Sequence, residues 1–263
     1  MDTFTDKIIW ITGASSGYGE AMAKLFAKQG AKVIVSARNE EKLQQLVSEY
    51  PKSLLALPLD LSKPETFADA TELAIGAFGH IDIIIHNAGI AQSGSALDTQ
   101  PEVARHIMEI DYFSHTELTR TILPHFIARK SGHIVVTSGL LYRLTLPGRS
   151  SYAAAKAALF GYFGCLRAEI QEHNIDVTIL IPGMMPTELV SKALKADGTL
   201  SQSPAPNAGC PVSIAAEQSL VAISKKSYEA YIGKKDKAYI LWKMTQYFPN
   251  KGIKMLLNKI RSS

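Results

Sequence analysis

Two side chains in this 263-residue chain stand at a spacing suited to proton chemistry: Tyr152 and Lys156, in the stretch SYAAAK. A free phenol loses its proton near pH ~10, too high for exchange at neutral pH. Residues four apart on a helix share one face, so the Lys156 ammonium would lie beside the phenol and lower its pKa. The pair is a candidate general acid/base. A second constellation lies near the N-terminus. The stretch ITGASSGYGE puts Gly13, Gly17 and Gly19, with Ser15, Ser16 and Tyr18 among them, between a β-branched run and a helical pattern. Glycines there let the backbone turn sharply and approach a pyrophosphate, and the following helix N-terminus offers free N–H groups.

The end of the second apolar run reads Ser36, Ala37, Arg38. A carboxylate at that place would hold the ribose 2′-hydroxyl of NAD; a cation instead suits the 2′-phosphate of NADP(H). NADP(H) is therefore the expected cofactor, with Ser15 or Ser16 adding a hydroxyl, against a plain surface role for Arg38. Asp60 follows the third run in LPLDLS. It either meets the adenine amino group or caps the helix near Pro64, a role that Ser62 fills better.

The elements that must position these groups alternate along the chain. Apolar runs are expected as strands at 8–12, 32–36, 54–59, 81–86, 133–138 and 176–181. Helical patterns fall at 19–29, 40–49, 64–78, 101–129 and 152–172. Nearly continuous apolar strands separated by helices predict a doubly wound α/β fold, a mostly parallel sheet with helices on both faces. Residues 1–233 read as one dinucleotide-binding and catalytic domain, and 234–263 as a helical extension. Within the domain, 188–211 is rich in Gly, Pro and Ser and is read as a substrate lid, or else a surface loop.

Composition narrows the classes. Two cysteines, Cys165 and Cys210, suggest neither a disulfide framework nor a metal site. The N-terminus lacks the layout of a signal peptide, and no apolar run reaches the length of a membrane span. A cytoplasmic protein is expected, with no metal. The net charge of +4 is concentrated in the extension. There Lys234, Lys235, Lys237, Lys243, Lys251, Lys254, Lys259 and Arg261 alternate with apolar and aromatic residues, and Pro249 splits the segment into two helices. Such a segment packs on its own fold or a partner, or lies on an anionic membrane surface as a peripheral contact. No nucleic-acid-reading motif accompanies the charge.

Four motifs in order now resemble one family, the classical short-chain dehydrogenases/reductases. TGASSGYG is similar to its TGxxxGxG, HNAG (His86 to Gly89) to its NNAG, YAAAK to its YxxxK and PGMMPT to its PGxxxT. The resemblance runs from the first strand to about Thr187. It implies a Rossmann-like fold with seven strands, YEAYIG (Tyr228 to Gly233) being the seventh. It also implies hydride transfer between a nicotinamide and a carbonyl or alcohol carbon, with Tyr152 as acid/base. Cofactor contacts are then expected at Leu61, Asn87, Ala88, Gly89, Tyr152, Lys156, Pro182, Gly183, Met185 and Thr187, besides the residues above. A homo-dimer or tetramer is a further implication.

Two family positions depart. The serine that usually bonds the substrate oxygen stands thirteen residues before the tyrosine, which is Gly139 here; Ser138 is one place early. The usual asparagine is Asp111, which keeps an acceptor but opposes the effect of Lys156 on the phenol. Ser138, Tyr142 or Thr145 are the candidate substitute hydroxyls. Leu140, Tyr142, Met184 and Leu189 fall on the substrate side, which suits a lipophilic carbonyl or alcohol. The departures leave a second reading open, an NADP(H)-binding module with little or no turnover.

Overall fold

The computed structural model describes residues 3–204 and 208–261, with no side-chain description for 259–261, so the expected tail residues Lys259, Ile260 and Arg261 and the lid residues Ala205–Asn207 lie outside the described side chains. Seven strands form one sheet: β1 (Ile8–Thr12), β2 (Lys32–Ser36), β3 (Leu54–Ala56), β4 (Ile83–His86), β5 (Gly132–Thr137), β6 (Ile175–Pro182) and β7 (Glu229–Ile232). Their order is β3-β2-β1-β4-β5-β6-β7, and every pair is parallel. The strand order reverses between β1 and β4, where the two halves diverge and a crevice opens at the carboxyl ends.

The alternation of each strand feeds two cores. Ile8 and Trp10 of β1 face one side, where they meet Phe67 of α3 (Phe67–Phe78), Leu118 and Ile122 of α5 (Ser114–Arg129) and Phe163 of α6 (Ser150–Glu169). Ile9 and Ile11 face the other side, against Met22 and Phe26 of α1 (Gly17–Lys28), Leu43 of α2 (Glu40–Glu49) and Leu220 of α8 (Val212–Ser224). This is why the strands read as continuous apolar runs rather than alternating ones.

Three expectations change. The third strand is half as long as its apolar run: beyond Ala56 the chain loses regular strand geometry, although Leu57 and Leu59 still donate their backbone N–H to the Val35 and Ala37 carbonyls at 3.0 and 3.1 Å. The long helix expected over 101–129 is broken. It starts as α4 (Pro101–Met108), widens into a π turn at Glu109–Phe113, and resumes as α5. Such a widening swings one side chain inward, here Asp111. The 188–211 segment is not structureless. It carries the short α7 (Glu188–Ser191), and Leu194–Lys195 pairs with Gln92–Ser93 in a separate two-stranded sheet.

The extension forms α9 (Lys237–Tyr247) and α10 (Pro249–Arg261), split at Pro249 as expected. Asp236 caps α9 by accepting from the backbone N–H of Ala238 and Tyr239. Leu241, Trp242 and Leu256 are buried in the same core as α6, so the extension packs on its own fold. It also holds the loop after β5: Arg143 Nε donates to the Thr245 carbonyl at 3.2 Å.

Candidate active site

The glycine loop lies at the carboxyl end of β1, and its backbone explains its composition. Gly13 has φ +68°, and a Cβ there would stand 2.7 Å from the Ala88 Cα. A Cβ on Gly19 would run into the Gly13 carbonyl and the Asn87 side-chain amide. That amide holds the loop to β4, donating to the carbonyls of Thr12 and Gly13 at 3.3 Å each, and Thr12 Oγ1 accepts from the backbone N–H of Asn87 and Ala88. Gly17 leaves room beneath Thr187, whose Cγ2 lies 3.5 Å from the position of a Cβ there. Ser15, Ser16, Gly17, Pro186 and Thr187 therefore border one open hollow at the N-terminus of α1, and Lys42 of α2 joins them. Lys42 was not singled out by the sequence; it comes near only because α2 packs beside the loop.

Other expected cofactor residues divide. Arg38 is exposed just past β2, within electrostatic reach of Asp60. Asp60 accepts the backbone N–H and the hydroxyl of Ser62 at 3.0 and 2.8 Å. Burial pushes its carboxyl up, but these bonds and Arg38 outweigh that and hold it below the usual range. Ser62 is thus spent on Asp60 and caps nothing. Tyr18 turns its ring into the core and hydrogen-bonds Ser219, which takes its side chain away from the loop. The Leu61 side chain is likewise core. Gly89 lies against Asp111 and Lys156: a Cβ there would lie 3.1 Å from Asp111 Oδ2 and 3.3 Å from Lys156 Nζ. Gly183 donates its backbone N–H to the Ile232 carbonyl at 2.8 Å, and Met185 packs on the α1 side of the sheet.

Tyr152 and Lys156 share the face of α6 that looks toward the ends of β4 and β5. Lys156 Nζ is 5.5 Å from the centre of the Tyr152 ring and donates to the Thr137 carbonyl at 3.4 Å. It forms a buried ion pair with Asp111 Oδ2 at 3.1 Å, though not along a hydrogen-bond axis. Asp111 Oδ1 accepts the Ile90 backbone N–H at 2.7 Å. Burial lifts the Asp111 carboxyl above its usual range despite the nearby ammonium. Burial alone would lower Lys156, but Asp111 outweighs it and keeps the ammonium protonated more firmly than usual.

The expected lowering of the phenol does not prevail. Burial raises Tyr152 above its ordinary value, Lys156 pulls it down, Asp111 pushes it up again and Arg149 lowers it. The net direction is upward, so the phenol holds its proton at neutral pH. The helix start is fixed by Gln92, fully buried, whose Oε1 accepts the backbone N–H of Ser151 and Tyr152 at 2.7 and 3.3 Å. No local pattern marks Gln92 as that anchor; it reaches α6 from across the chain.

The substitute hydroxyls do not reach the phenol. Ser138 points to the α6 side and donates to the Lys156 carbonyl at 3.0 Å, which removes it from the reacting centre. Tyr142 stacks on Phe160 with ring centres 3.9 Å apart, and its hydroxyl accepts from Gln246 at 3.1 Å. Gly139 is the open position: a Cβ there would lie 3.6 Å from Tyr152 Oη, with the backbone extended. Leu140 is half-buried, while Met184 and Leu189 are exposed at the rim.

Behind Asp111 two histidines are fully buried, His86 and His115, with ring centres 5.4 Å apart. His86 Nε2 donates to Thr119 Oγ1, whose own proton goes to the His115 carbonyl, and His115 Nε2 donates to the Ala88 carbonyl at 3.0 Å. Burial lowers His86 to about 3 and His133 to about 4, and pulls His115 down as well. An unfolded imidazole takes a proton near pH ~6.5, these only far lower, so the unfolded chain binds more protons between those limits. Stability is therefore complete above about pH 6.5 and lost as pH falls toward 4, at up to ~1.4 kcal/mol per pH unit for each such imidazole. Asp111 works the other way, one carboxyl against three imidazoles. Urea midpoints at pH 7.5, 6 and 5 should fall in that order, and His86→Asn should flatten the slope; a midpoint constant across that range would contradict it.

The sequence profile of the short chain dehydrogenase family matches residues 7–198. The bovine protein "Dehydrogenase/reductase SDR family member 7B" is 36% identical over 237 residues, 86% of this chain and 73% of that protein. The mouse protein of the same name is 40% identical over 199 residues, 73% of this chain and 62% of that protein. Among solved structures, a short chain dehydrogenase from Burkholderia cenocepacia in complex with NADP superposes with a TM-score of 0.81 at 26% identity, over 96% of this chain and 98% of that one. The family profile and these relatives agree with the parallel seven-stranded sheet, and the chain belongs to the short-chain dehydrogenase/reductase family of oxidoreductases.

Proposed function

We propose that the chain is an NADP(H)-dependent reductase acting on a lipophilic ketone or aldehyde, with Tyr152 as proton donor. The observation that carries this reading is the Tyr152 hydroxyl facing the open Gly139 position, with Lys156 buried beneath the ring against Asp111. The loop fits a dinucleotide, since Gly13 and Gly19 keep clear a cradle that a Cβ would fill. Ser15, Ser16, the N–H groups opening α1 and Thr187 would hold its phosphates, and Arg38 with Lys42 its 2′-phosphate. Bound there, a reduced nicotinamide supplies hydride for the carbonyl carbon. Tyr152, protonated at neutral pH, gives its proton to the carbonyl oxygen, as reduction requires. Lys156 steadies the resulting phenolate, and Asp111 holds Lys156 in place.

Ser138 has no part in that chemistry. Ser138→Ala should leave kcat within about twofold and cost ~1 kcal/mol of stability through the lost bond to the Lys156 carbonyl. A large fall in kcat without loss of stability would return Ser138 to the reacting centre.

A second reading, a nucleotide-binding module without turnover, draws on the missing hydroxyl at Gly139. Titration of NADPH and NADH followed by NADPH oxidation over a panel of uncharged ketones, quinones and aldehydes separates the two. Tight NADPH binding, weakened by Arg38→Glu, with turnover of at least one carbonyl supports the reductase; tight binding with no turnover supports the module.

We further propose that the chain works in the cytoplasm as a homo-dimer or tetramer along α5 and α6, to be checked by light scattering. Its α10 exposes Ile253, Met255 and Leu257 beside Lys251 and Lys254, the composition of a peripheral membrane contact. Binding to phosphatidylserine vesicles should disappear in Ile253→Glu/Leu257→Glu; equal binding by both chains would refute the contact.

A further inference from the structure

A carbonyl oxygen gains negative charge as hydride reaches its carbon, and a preorganised donor aimed at it is worth ~10²–10³ in rate. Gly139 offers none. Ser138 gives its proton to the Lys156 carbonyl, Tyr142 is stacked on Phe160 with its hydroxyl accepting from Gln246, and Thr145 is exposed on the loop. One donor beside Tyr152 is unaccounted for. Arg149 immediately precedes α6, three residues before Tyr152, with a backbone that is not yet helical. Its Nη1 is buried and has no hydrogen-bond partner, and among the described residues its guanidinium forms no ion pair. Arg149 as a whole is half-buried, and a buried N–H group without a partner is uncommon in a folded chain. An arginine side chain has no acceptor with which to cap a helix N-terminus, and Gln92 accepts the N–H groups of Ser151 and Tyr152.

We infer that Arg149 is a catalytic residue, and that its guanidinium donates to the substrate carbonyl oxygen the hydrogen bond that Gly139 cannot give. The inference rests on the reductase reading above. As hydride forms the new C–H bond, the C=O π pair moves onto oxygen. Tyr152 gives its phenolic proton to that oxygen, making the alcohol O–H bond and leaving a phenolate. Arg149 keeps all its protons; it bonds the oxygen while the charge is there and then lies beside the phenolate. The charges of Arg149 and Tyr152 already influence each other: burial lowers the guanidinium and Tyr152 raises it, while Arg149 pulls the phenol down. A planar guanidinium carries five N–H donors in a fixed fork and can serve the oxygen without displacing the phenol.

The test is steady-state kinetics of the full chain with NADPH and benzil, an uncharged aromatic diketone, or the uncharged carbonyl of the panel it reduces fastest. Arg149→Met should lower kcat about a hundredfold with NADPH affinity and the urea midpoint unchanged. The alkaline limb of the kcat profile should move to higher pH, because the phenol loses a neighbouring cation. Adding Gly139→Ser to Arg149→Met should recover at least tenfold, a gain much larger than Gly139→Ser gives in the wild-type chain, since the two donors serve one oxygen. An unchanged kcat with a raised KM in Arg149→Met would make Arg149 a remote binding group and overturn the inference. Equal gains from Gly139→Ser in both backgrounds would overturn it too. A wild-type chain that oxidises NADPH with no carbonyl defeats the reductase reading itself, and this inference with it, whereas turnover undiminished in Arg149→Met defeats this inference alone.

Discussion

Tyr152→Phe should lower kcat by ~10²–10⁴ while leaving NADPH affinity within about twofold and the urea midpoint unchanged. The ring keeps its packing, because the phenylalanine fills the same half-buried place on α6, and the Lys156 ammonium keeps its seat 5.5 Å from the ring centre. Only the proton is lost. The Tyr152 hydroxyl makes no hydrogen bond among the described residues, so removing it breaks nothing that holds the fold. Steady-state kinetics with a matched unfolding curve checks this. A Tyr152→Phe chain that reduces carbonyls within tenfold of the wild type would mean that another group supplies the proton.

The second large effect joins chemistry to stability. Lys156→Met removes the partner of Asp111, whose Oδ2 lies 3.1 Å from Nζ in a fully buried place. Stranding one member of a buried ion pair costs ~3–5 kcal/mol, because the remaining charge keeps its desolvation penalty and loses its attraction. The Lys156→Met chain should therefore show a much lower urea midpoint at neutral pH and a kcat near that of Tyr152→Phe. Its deficit relative to the wild type should narrow as pH falls, since Asp111, already raised by burial, then takes a proton and ceases to be a stranded charge. Combining Lys156→Met with Asp111→Asn should restore most of the midpoint but none of the activity. If the single variant is as stable as the wild type at pH 7, the pair is not the buried charge couple described above.

Much of this site was legible because its signals are local. The strand runs 8–12 and 32–36 match β1 and β2 residue for residue, since a strand covered on both faces must be apolar throughout. The glycines of the first loop follow from close approach: Gly13 is hemmed in by Ala88 and Gly19 by Gly13 itself. The count that put Gly139, not Ser138, opposite the phenol also holds, because strand alternation sends Ser138 to the Lys156 carbonyl. What stayed hidden depends on contacts distant in sequence. Gln92 anchors α6 from about sixty residues away, and Lys42 nears the glycine loop only through the packing of α2. The net rise of the Tyr152 pKa is a matter of burial against charge, and the sequence supplies the charges but not the depth. The π turn at Glu109–Phe113 likewise carries no mark in a pattern that continues helical on both sides.

In the proposed function, this chain moves hydride onto a carbonyl carbon and Tyr152 completes the alcohol. The most direct test is to supply NADPH deuterated at the transferring carbon of the nicotinamide, together with the carbonyl panel, and to read the products by mass spectrometry. The account predicts one deuterium at the carbinol carbon of at least one product from the wild-type chain, and a loss of that product in Tyr152→Phe. Bound NADPH with no deuterium in any alcohol would contradict it.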